Sequence, residues 1–194
     1  MTITRRGLLA SAAGSILLAS CATVKLAPAG MYRVGNAFSI TLTRPWSDLT
    51  AAAMQPPGVR VLTIDGRGLN QLFAADVAPA GSLVRTADKD TPKPTYRADM
   101  SDTEVVEFVV DSLAAMGFLE PTSAGLRPQS FVGASGVRFD ISSRSETGLN
   151  YSGTAIAARA GERLHLLIFL APTEHYYSTF ASEIEAVFAS ATAA

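Results

Sequence analysis

The stretch RLHLLIFLA, residues 163–171, decides the fold. It is a nearly continuous apolar run between a charged residue and Pro172, which predicts a strand covered by apolar groups on both faces. Such a strand lies in the middle of a sheet. His165 stands between Leu164 and Leu166, so alternation places its imidazole on the opposite face from those two leucines.

Two further strands precede this one in the chain. The turn sequence AGE, residues 160–162, predicts a hairpin that joins the central strand to GLNYSGTAIAAR, residues 148–159. Before that hairpin, SGVRFDIS at residues 135–142 alternates apolar and polar side chains. The alternation predicts Val137, Phe139 and Ile141 inward, with Arg138 and Asp140 outward.

The N-terminal half supplies a strand and a hairpin. AFSITLT, residues 37–43, alternates cleanly, and Pro45 ends it. VRVLTI, residues 59–64, is followed by Asp-Gly, which predicts a hairpin turn and a returning strand. The charged segment TADKDTPKPT, residues 86–95, predicts a mobile surface loop.

Helical patterns occupy residues 101–117 and 174–191. Ser101 and Glu104 have the spacing of a capping box, and Gly117 marks the C-terminal end of the first helix. Its apolar stripe consists of Val105, Val106, Val109, Leu113 and Met116. Thr173 is a candidate cap for the second helix, which places His175 in its first turn. The apolar face of that helix consists of Tyr177, Phe180, Ile184, Val187 and Phe188.

The order strand, hairpin, helix, three strands, helix predicts an α+β domain, in which helices pack on an antiparallel sheet as an α/β/α sandwich. LHLLIFLAP followed directly by an amphipathic helix, together with the early FSITLTRPW, resembles the PsbP-like fold over roughly residues 32–190. That family includes the extrinsic PsbP protein of photosystems, bacterial periplasmic relatives and a eukaryotic Ran-binding import factor. The resemblance implies this fold and a binding or assembly role more often than catalysis, and it implies no residue roles.

Residues 1–20 have the three parts of a secretion signal. Arg5 and Arg6 form the basic segment, and a run of about a dozen apolar residues follows, shorter than the ~20 that span a bilayer. The Thr4–Ala10 segment TRRGLLA also resembles the twin-arginine export motif, although Leu8 and Ala10 stand where the family prefers Phe and Lys. General secretory export therefore remains an alternative.

The only cysteine, Cys21, directly follows the signal. The sequence LASC, residues 18–21, resembles the lipobox of bacterial lipoproteins, which implies that Cys21 carries a diacylglyceryl group and that the chain is cut just before it. The alternative is an unlipidated chain cut near Ala22. A single cysteine excludes an internal disulfide and argues against a thiolate metal site.

Residues 21–30 are expected to form a lipid-anchored tether, and residues 31–194 a single domain. By resemblance to enterobacterial lipoproteins, Ala22 favours the outer membrane, with the domain facing the periplasm. The bilayer is then one partner, bound through the acylated Cys21. Removing the signal takes away Arg5 and Arg6, which changes the formal net charge from −1 to −3. No basic stripe remains, so nucleic acid is not an expected partner.

The motifs in the sequence that resemble catalytic or cofactor-binding sites are incomplete. GASG, residues 133–136, lacks the final glycine of a nucleophile elbow, and DGRG, residues 65–68, lacks the third glycine of a dinucleotide site. His165 and His175 have no second metal ligand at the usual spacing. We therefore expect no cofactor, no metal and no catalytic residue.

Three functions fit these observations. The first is an anchored, non-catalytic binding or envelope-assembly factor with an envelope protein partner. The second is a carrier of a small ligand or lipid, which needs an apolar cavity between the sheet and its helices. The third is a hydrolase, which needs a serine, a histidine and an acid to converge from distant segments.

Overall fold

The computed structural model describes residues 24–86 and 91–194. Cys21, Arg5, Arg6, the signal segment and the start of the expected tether lie outside these residues, as do residues 87–90 of the expected loop. The strands are β1 Lys25–Ala27, β2 Gly30–Val34, β3 Phe38–Leu42, β4 Trp46–Asp48, β5 Val59–Thr63, β6 Gln71–Val77, β7 Leu119–Pro128, β8 Gly136–Arg144, β9 Asn150–Ala160, β10 Arg163–Pro172 and β11 Thr192–Ala193. The helices are α1 Asp102–Ala115 and α2 Ser178–Ala189.

Eight strands form one antiparallel sheet in the order β1-β4-β5-β6-β10-β9-β8-β7. The central strand is β10, as its apolar sequence predicts, and it is buried from Leu164 to Pro172. A small second sheet has the order β11-β3-β2. The predicted α+β class and antiparallel sheet are confirmed.

The large sheet carries a core on each face. On one face, α1 packs through Val105, Val109 and Leu113 against the even-numbered residues of β10. On the other face, α2 and the small sheet pack against Leu167 and Phe169. The result is the expected three-layer arrangement, with the small sheet as an additional part of the second outer layer.

The predicted start of α1 is confirmed in detail. The Ser101 hydroxyl accepts a hydrogen bond from the Glu104 amide at 3.3 Å, and the Glu104 carboxylate accepts one from the Ser101 amide at 2.7 Å. These reciprocal bonds satisfy two donors that the first helical turn would otherwise leave unpaired.

The tether prediction is wrong for residues that the structure describes. Lys25–Ala27 form β1, paired with β4 in the register Lys25↔Asp48, and Gly30 already belongs to β2. The backbone of β1 pairs with β4 at the edge of the sheet, and Ala27 is buried in the second core. Both contacts hold this segment on the domain.

The sequence patterns also missed β2, β4, β7 and β11. The longest of these, β7, contains two prolines and a left-handed Gly125, and nearly all of its residues are exposed. Because β7 has no buried face, its sequence shows no apolar alternation. Its irregular backbone pairs with β8 through two shifts of register, between Leu119 and Thr122 and between Ala124 and Arg127. An edge strand of this kind leaves no periodic signal.

The expected outward position of Arg138 is wrong. Its side chain is only 6% exposed and lies beneath α2, where it forms an ion pair with Glu185. Its guanidinium donates to the Thr154 hydroxyl at 3.1 Å and lies 5.2 Å from the centroid of the Phe188 ring. Because α2 covers this part of the second face, Arg138 faces a core, whereas Asp140 and Ser142 on the same face of β8 are exposed, as predicted for Asp140.

Two predicted turns differ from the structure. The β5–β6 connection is a loop of residues 64–70 rather than a tight Asp-Gly turn, and the buried Asn70 side chain organises it by accepting from Thr63 and Ile64. The last helix begins at Ser178, because the backbone at His175 has φ +69° and turns the chain. Thr173 therefore does not cap it and instead bonds Ser152 at 2.9 Å.

His165 lies on the second face of β10, as predicted, and is 6% exposed. Its ring packs 5.3 Å from the Phe38 ring, and its Nε2 lies 3.6 Å from a carboxylate oxygen of Asp76. Asp76 also binds Arg163 with two hydrogen bonds, at 2.6 and 2.8 Å. Burial lowers the pKa of His165, and Arg163 lowers it further, while Asp76 opposes both effects.

We predict that Gly153→Ala destabilises the domain by about 1–3 kcal/mol, the usual cost of overpacking. A methyl group at this position would lie 2.5 Å from the Leu170 side chain and 2.6 Å from the carbonyl oxygen of Phe169. Urea unfolding measures the effect. Gly68→Ala is the matched control, because a methyl group there meets no atom within 4 Å. Equal stability of the two variants would contradict the tight contact between β9 and β10.

We also predict that His165 makes the domain less stable as the pH falls from about 7 to about 5. Because its pKa is lowered in the folded state, the unfolded chain binds a proton in this range that the folded chain does not. His165→Gln should therefore reduce the loss of unfolding free energy over this range, measured by urea titration at each pH. His175→Gln, which changes an exposed ring, should keep the wild-type dependence. An unaltered pH dependence in His165→Gln would refute this role.

Candidate functional site

Adjoining cavities lie at one end of the domain, where the C-terminal end of α1 meets four loops. These loops are residues 49–58, the β5–β6 loop, residues 78–86 after β6, and the β8–β9 loop at residues 145–149. The largest of them, here called the aromatic cavity, has a volume of about 480 Å³. This is within the range of about 300–1,000 Å³ that is typical of small-molecule sites.

The aromatic cavity is built on ring side chains from three elements. Phe73 of β6 and Tyr151 of β9 are buried, and Phe118 follows α1. Gly117 has φ +94°, which ends the helix and turns Phe118 toward the sheet, where its ring meets that of Tyr151 edge-on at 5.6 Å. Met116 completes the apolar wall.

Two polar side chains of this cavity are buried. The Tyr151 hydroxyl donates to the carbonyl of Gly68 at 2.6 Å, and burial raises the pKa of Tyr151, so it remains a protonated donor. Gln71 is 6% exposed and also lines this cavity. The remaining lining residues are more exposed, and apart from two glycines they are polar: Gln55, Arg67, Gly68, Gly117, Ser145, Glu146 and Thr147.

A second cavity of about 340 Å³, here called the arginine cavity, shares Gln55, Arg67 and Met116 with the first. It adds Arg85 and the apolar side chains of Leu83 and Met54. Two guanidinium groups therefore line a cavity next to an aromatic one.

A third cavity, of about 360 Å³, adjoins the arginine cavity at Met54, Gln55 and Arg85. Lys25, Arg60 and Asp48 also line it. Asp48 accepts from the Tyr32 hydroxyl at 2.8 Å and the Thr50 amide at 2.9 Å. Burial alone would raise the pKa of Asp48, but the Thr50 and Tyr32 hydrogen bonds and the charge of Arg60 outweigh it, and the pKa is lowered.

Lysines and arginines without an ion-pair partner are concentrated at this end of the domain. Within residues 24–86 and 91–194, six lysines and arginines form no ion pair: Lys25, Arg33, Arg60, Arg67, Arg85 and Lys93. Four of these six line the three cavities. Asp48 and Glu146 are the carboxylates in the same lining, so positive charge is in excess by two.

The residues that the sequence singled out do not converge here. His165 lies in the second core and His175 precedes α2, and among the described residues no hydroxyl group lies within hydrogen-bond distance of either ring. Ser135 lies in the loop before β8. Tyr177 and Phe180 pack into the second core, as predicted for the apolar face of the last helix, with Tyr177 stacked 6.2 Å from Phe169.

Within the described ranges, no three side chains of His, Cys, Asp or Glu are grouped closely enough to hold a metal ion. No helix in those ranges combines the length and the apolar composition that crossing a bilayer requires.

Sequence reasoning missed the cavity residues because they come from four separate segments. Arg67, Arg85, Phe118 and Tyr151 are each ordinary at their own positions, and only the fold places them together. The one usable signal was Gly117 followed by Phe118, since a large ring directly after a helix-ending glycine packs back onto the domain.

No protein-family model and no curated protein sequence matches the chain. Among solved structures, it is similar to the cyanobacterial PsbP protein (CyanoP) of Synechocystis, with a TM-score of 0.53 and 13% identity over 94% of this chain and 99% of that one. It is also similar to the Ran-binding protein Mog1p of Saccharomyces cerevisiae, with a TM-score of 0.51 and 11% identity over 87% of this chain and 94% of that one.

A weaker likeness is to LpqN of Mycobacterium tuberculosis, described as involved in cell envelope biogenesis. Its TM-score is 0.39 and its identity 10%, over 91% of this chain and 87% of that one, and no conclusion rests on it. At these identities the likenesses to CyanoP and Mog1p concern the fold alone. The chain has the PsbP/Mog1-like α+β fold.

Proposed function

We propose that this protein is a lipid-anchored protein of the bacterial cell envelope, whose domain faces the periplasm and acts as a non-catalytic binding module. The observation that carries the anchor is the sequence LASC, residues 18–21, after a signal-like segment. Two or three acyl chains on Cys21 would hold the domain stably at a membrane, where one chain would not. Ala22 favours the outer membrane, and Arg5 and Arg6 favour twin-arginine export over general secretory export.

Support for a binding module comes from the end of the domain that carries the cavities. The aromatic and arginine cavities supply an apolar lining with a few convergent polar groups, which is the usual composition of a ligand site. The histidines lack the neighbouring hydroxyl that a hydrolase of the serine type requires. The geometry therefore favours binding over hydrolysis.

We predict that Cys21→Ala abolishes lipidation and the cleavage that depends on it. The thiol is the acyl acceptor, so the variant should remain an uncut precursor or be released as a soluble form. Labelling cells with a radioactive fatty acid and separating membranes from soluble protein measures both effects. The domain should keep its Tm, because the core residues that the structure describes all lie between Ala27 and Phe188.

Ser20→Ala is the matched control, since it changes the neighbouring position and keeps the thiol. It should be labelled and membrane-bound like the wild type. Label that persists in Cys21→Ala, or wild-type protein recovered wholly in the soluble fraction, would refute the anchor.

The proposal also includes an envelope protein partner. Cross-linking in intact cells, followed by purification of the anchored protein from solubilised membranes, should yield a partner in stoichiometric amount. The yield should fall in Cys21→Ala, because loss of the anchor removes the domain from the membrane surface. Recovery of the anchored protein without a stoichiometric partner would contradict this part of the proposal and leave the anchor intact.

A further inference from the structure

The aromatic and arginine cavities together form one amphipathic site. Phe73, Phe118 and Tyr151 line the aromatic cavity, Arg67 lines both cavities, and Arg85 lines the arginine cavity. We propose that this site binds a single amphiphile, with its anionic head, a carboxylate or a phosphate, at Arg67 and Arg85 and its apolar tail against the three rings. The inference rests on the proposed function only in treating the domain as a binding module, and it does not require the anchor.

The head position follows from the two arginines. Neither guanidinium forms an ion pair with a described residue, although seven other arginines in the described ranges do. A guanidinium presents paired N–H donors whose spacing matches the oxygens of a carboxylate or a phosphate. Both arginines line the same cavity of about 340 Å³, and the proposal places the anionic group in that cavity, between them.

The surrounding charges favour an anion as well. Lys25 and Arg60 line the adjoining third cavity, where Asp48 is already engaged by hydrogen bonds from Tyr32 and Thr50. Among the described residues that line the three cavities, Glu146 is the other carboxylate, and it lies in the β8–β9 loop. The described charges around a head at Arg67 and Arg85 are therefore mainly positive.

The tail position follows from the rings and from Gln71. Phe73 is 4% exposed and Tyr151 is 6% exposed, so they form the apolar floor of the aromatic cavity. Gln71 lines the same cavity, and its amide can bond a polar atom where a head joins its tail. An apolar tail would remove this lining from water, which is favourable by about 25 cal/mol for each Å² covered.

The experiment uses the soluble chain of residues 22–194. It contains every core residue described here, from Ala27 to Phe188, and cooperative thermal unfolding verifies that it is folded. The probe is dansylundecanoic acid, whose fluorescence rises in an apolar site. Saturable binding is expected, with displacement by palmitate, weaker displacement by octanoate because its tail is shorter, and little displacement by the neutral hexadecanol because it lacks the charge.

The double variant Arg67→Gln/Arg85→Gln should weaken probe binding about tenfold, since each exposed charged contact contributes a factor of roughly two to five. Arg33→Gln/Lys93→Gln is the matched control. It removes the same charge from the two remaining unpaired cations, which line none of the three cavities, and it should bind like the wild type.

A comparison of palmitate with lysophosphatidylglycerol identifies the head: tighter binding of the first indicates a carboxylate, and of the second a phosphate. Three results would overturn the inference: no saturable binding by a cooperatively unfolding chain, equal weakening in both double variants, or displacement by hexadecanol as strong as by palmitate. None of them bears on fatty-acid labelling of Cys21, so this inference and the anchor can fail separately.

Discussion

Strand β10 is buried on both faces over nine consecutive residues, and the rest of the domain follows from that constraint. Its even-numbered side chains enter one core and its odd-numbered side chains enter the other. Each apolar side chain of this size is stabilised by about 1.5–3 kcal/mol only when it is fully covered. Helix α1 covers only one face of the sheet. The other face must therefore be buried by α2 and the small sheet.

The neighbouring strand β9 carries small side chains opposite the large side chains of β10. On β9, Ala157 lies opposite Leu166 and Ala155 opposite Ile168, so small side chains stand beside large ones. Gly153 lies opposite Leu170, and there is no room for even a methyl group. Small residues on β9 therefore let the large side chains of β10 reach their cores without widening the layers.

The same burial explains which features the sequence predicted. Central strands and amphipathic helices have a strong periodic signal because their burial is regular, and β10, α1 and the apolar face of α2 were predicted from it. Arg138 was predicted to be exposed because alternation suggested that one face of β8 is in contact with solvent. In the structure α2 covers Arg138, and Glu185 forms an ion pair with it. Strand β7 was missed because it is exposed and carries no alternation.

The cavities were beyond sequence reasoning for a different reason. A site assembled from Arg67, Arg85, Phe118 and Tyr151 depends on where four loops and a helix end, and loop ends carry little periodic information. The absence of ion pairs at these arginines is also a property of their surroundings. Both features become visible only when distant segments are placed side by side.

Strand β1 gives the proposed anchor a geometric consequence. A free tether from Cys21 to Gly30 would leave the domain unoriented, but β1 fixes the chain to β4 from Lys25 onward. Three residues then separate Cys21 from Lys25, and a fully extended chain of four residue steps spans at most about 14 Å. With Cys21 acylated, Lys25 and the third cavity must lie close to the bilayer surface. Under the proposed anchor, the pairing of three residues of β1 would therefore constrain the orientation of the domain and place its cationic end on the membrane side.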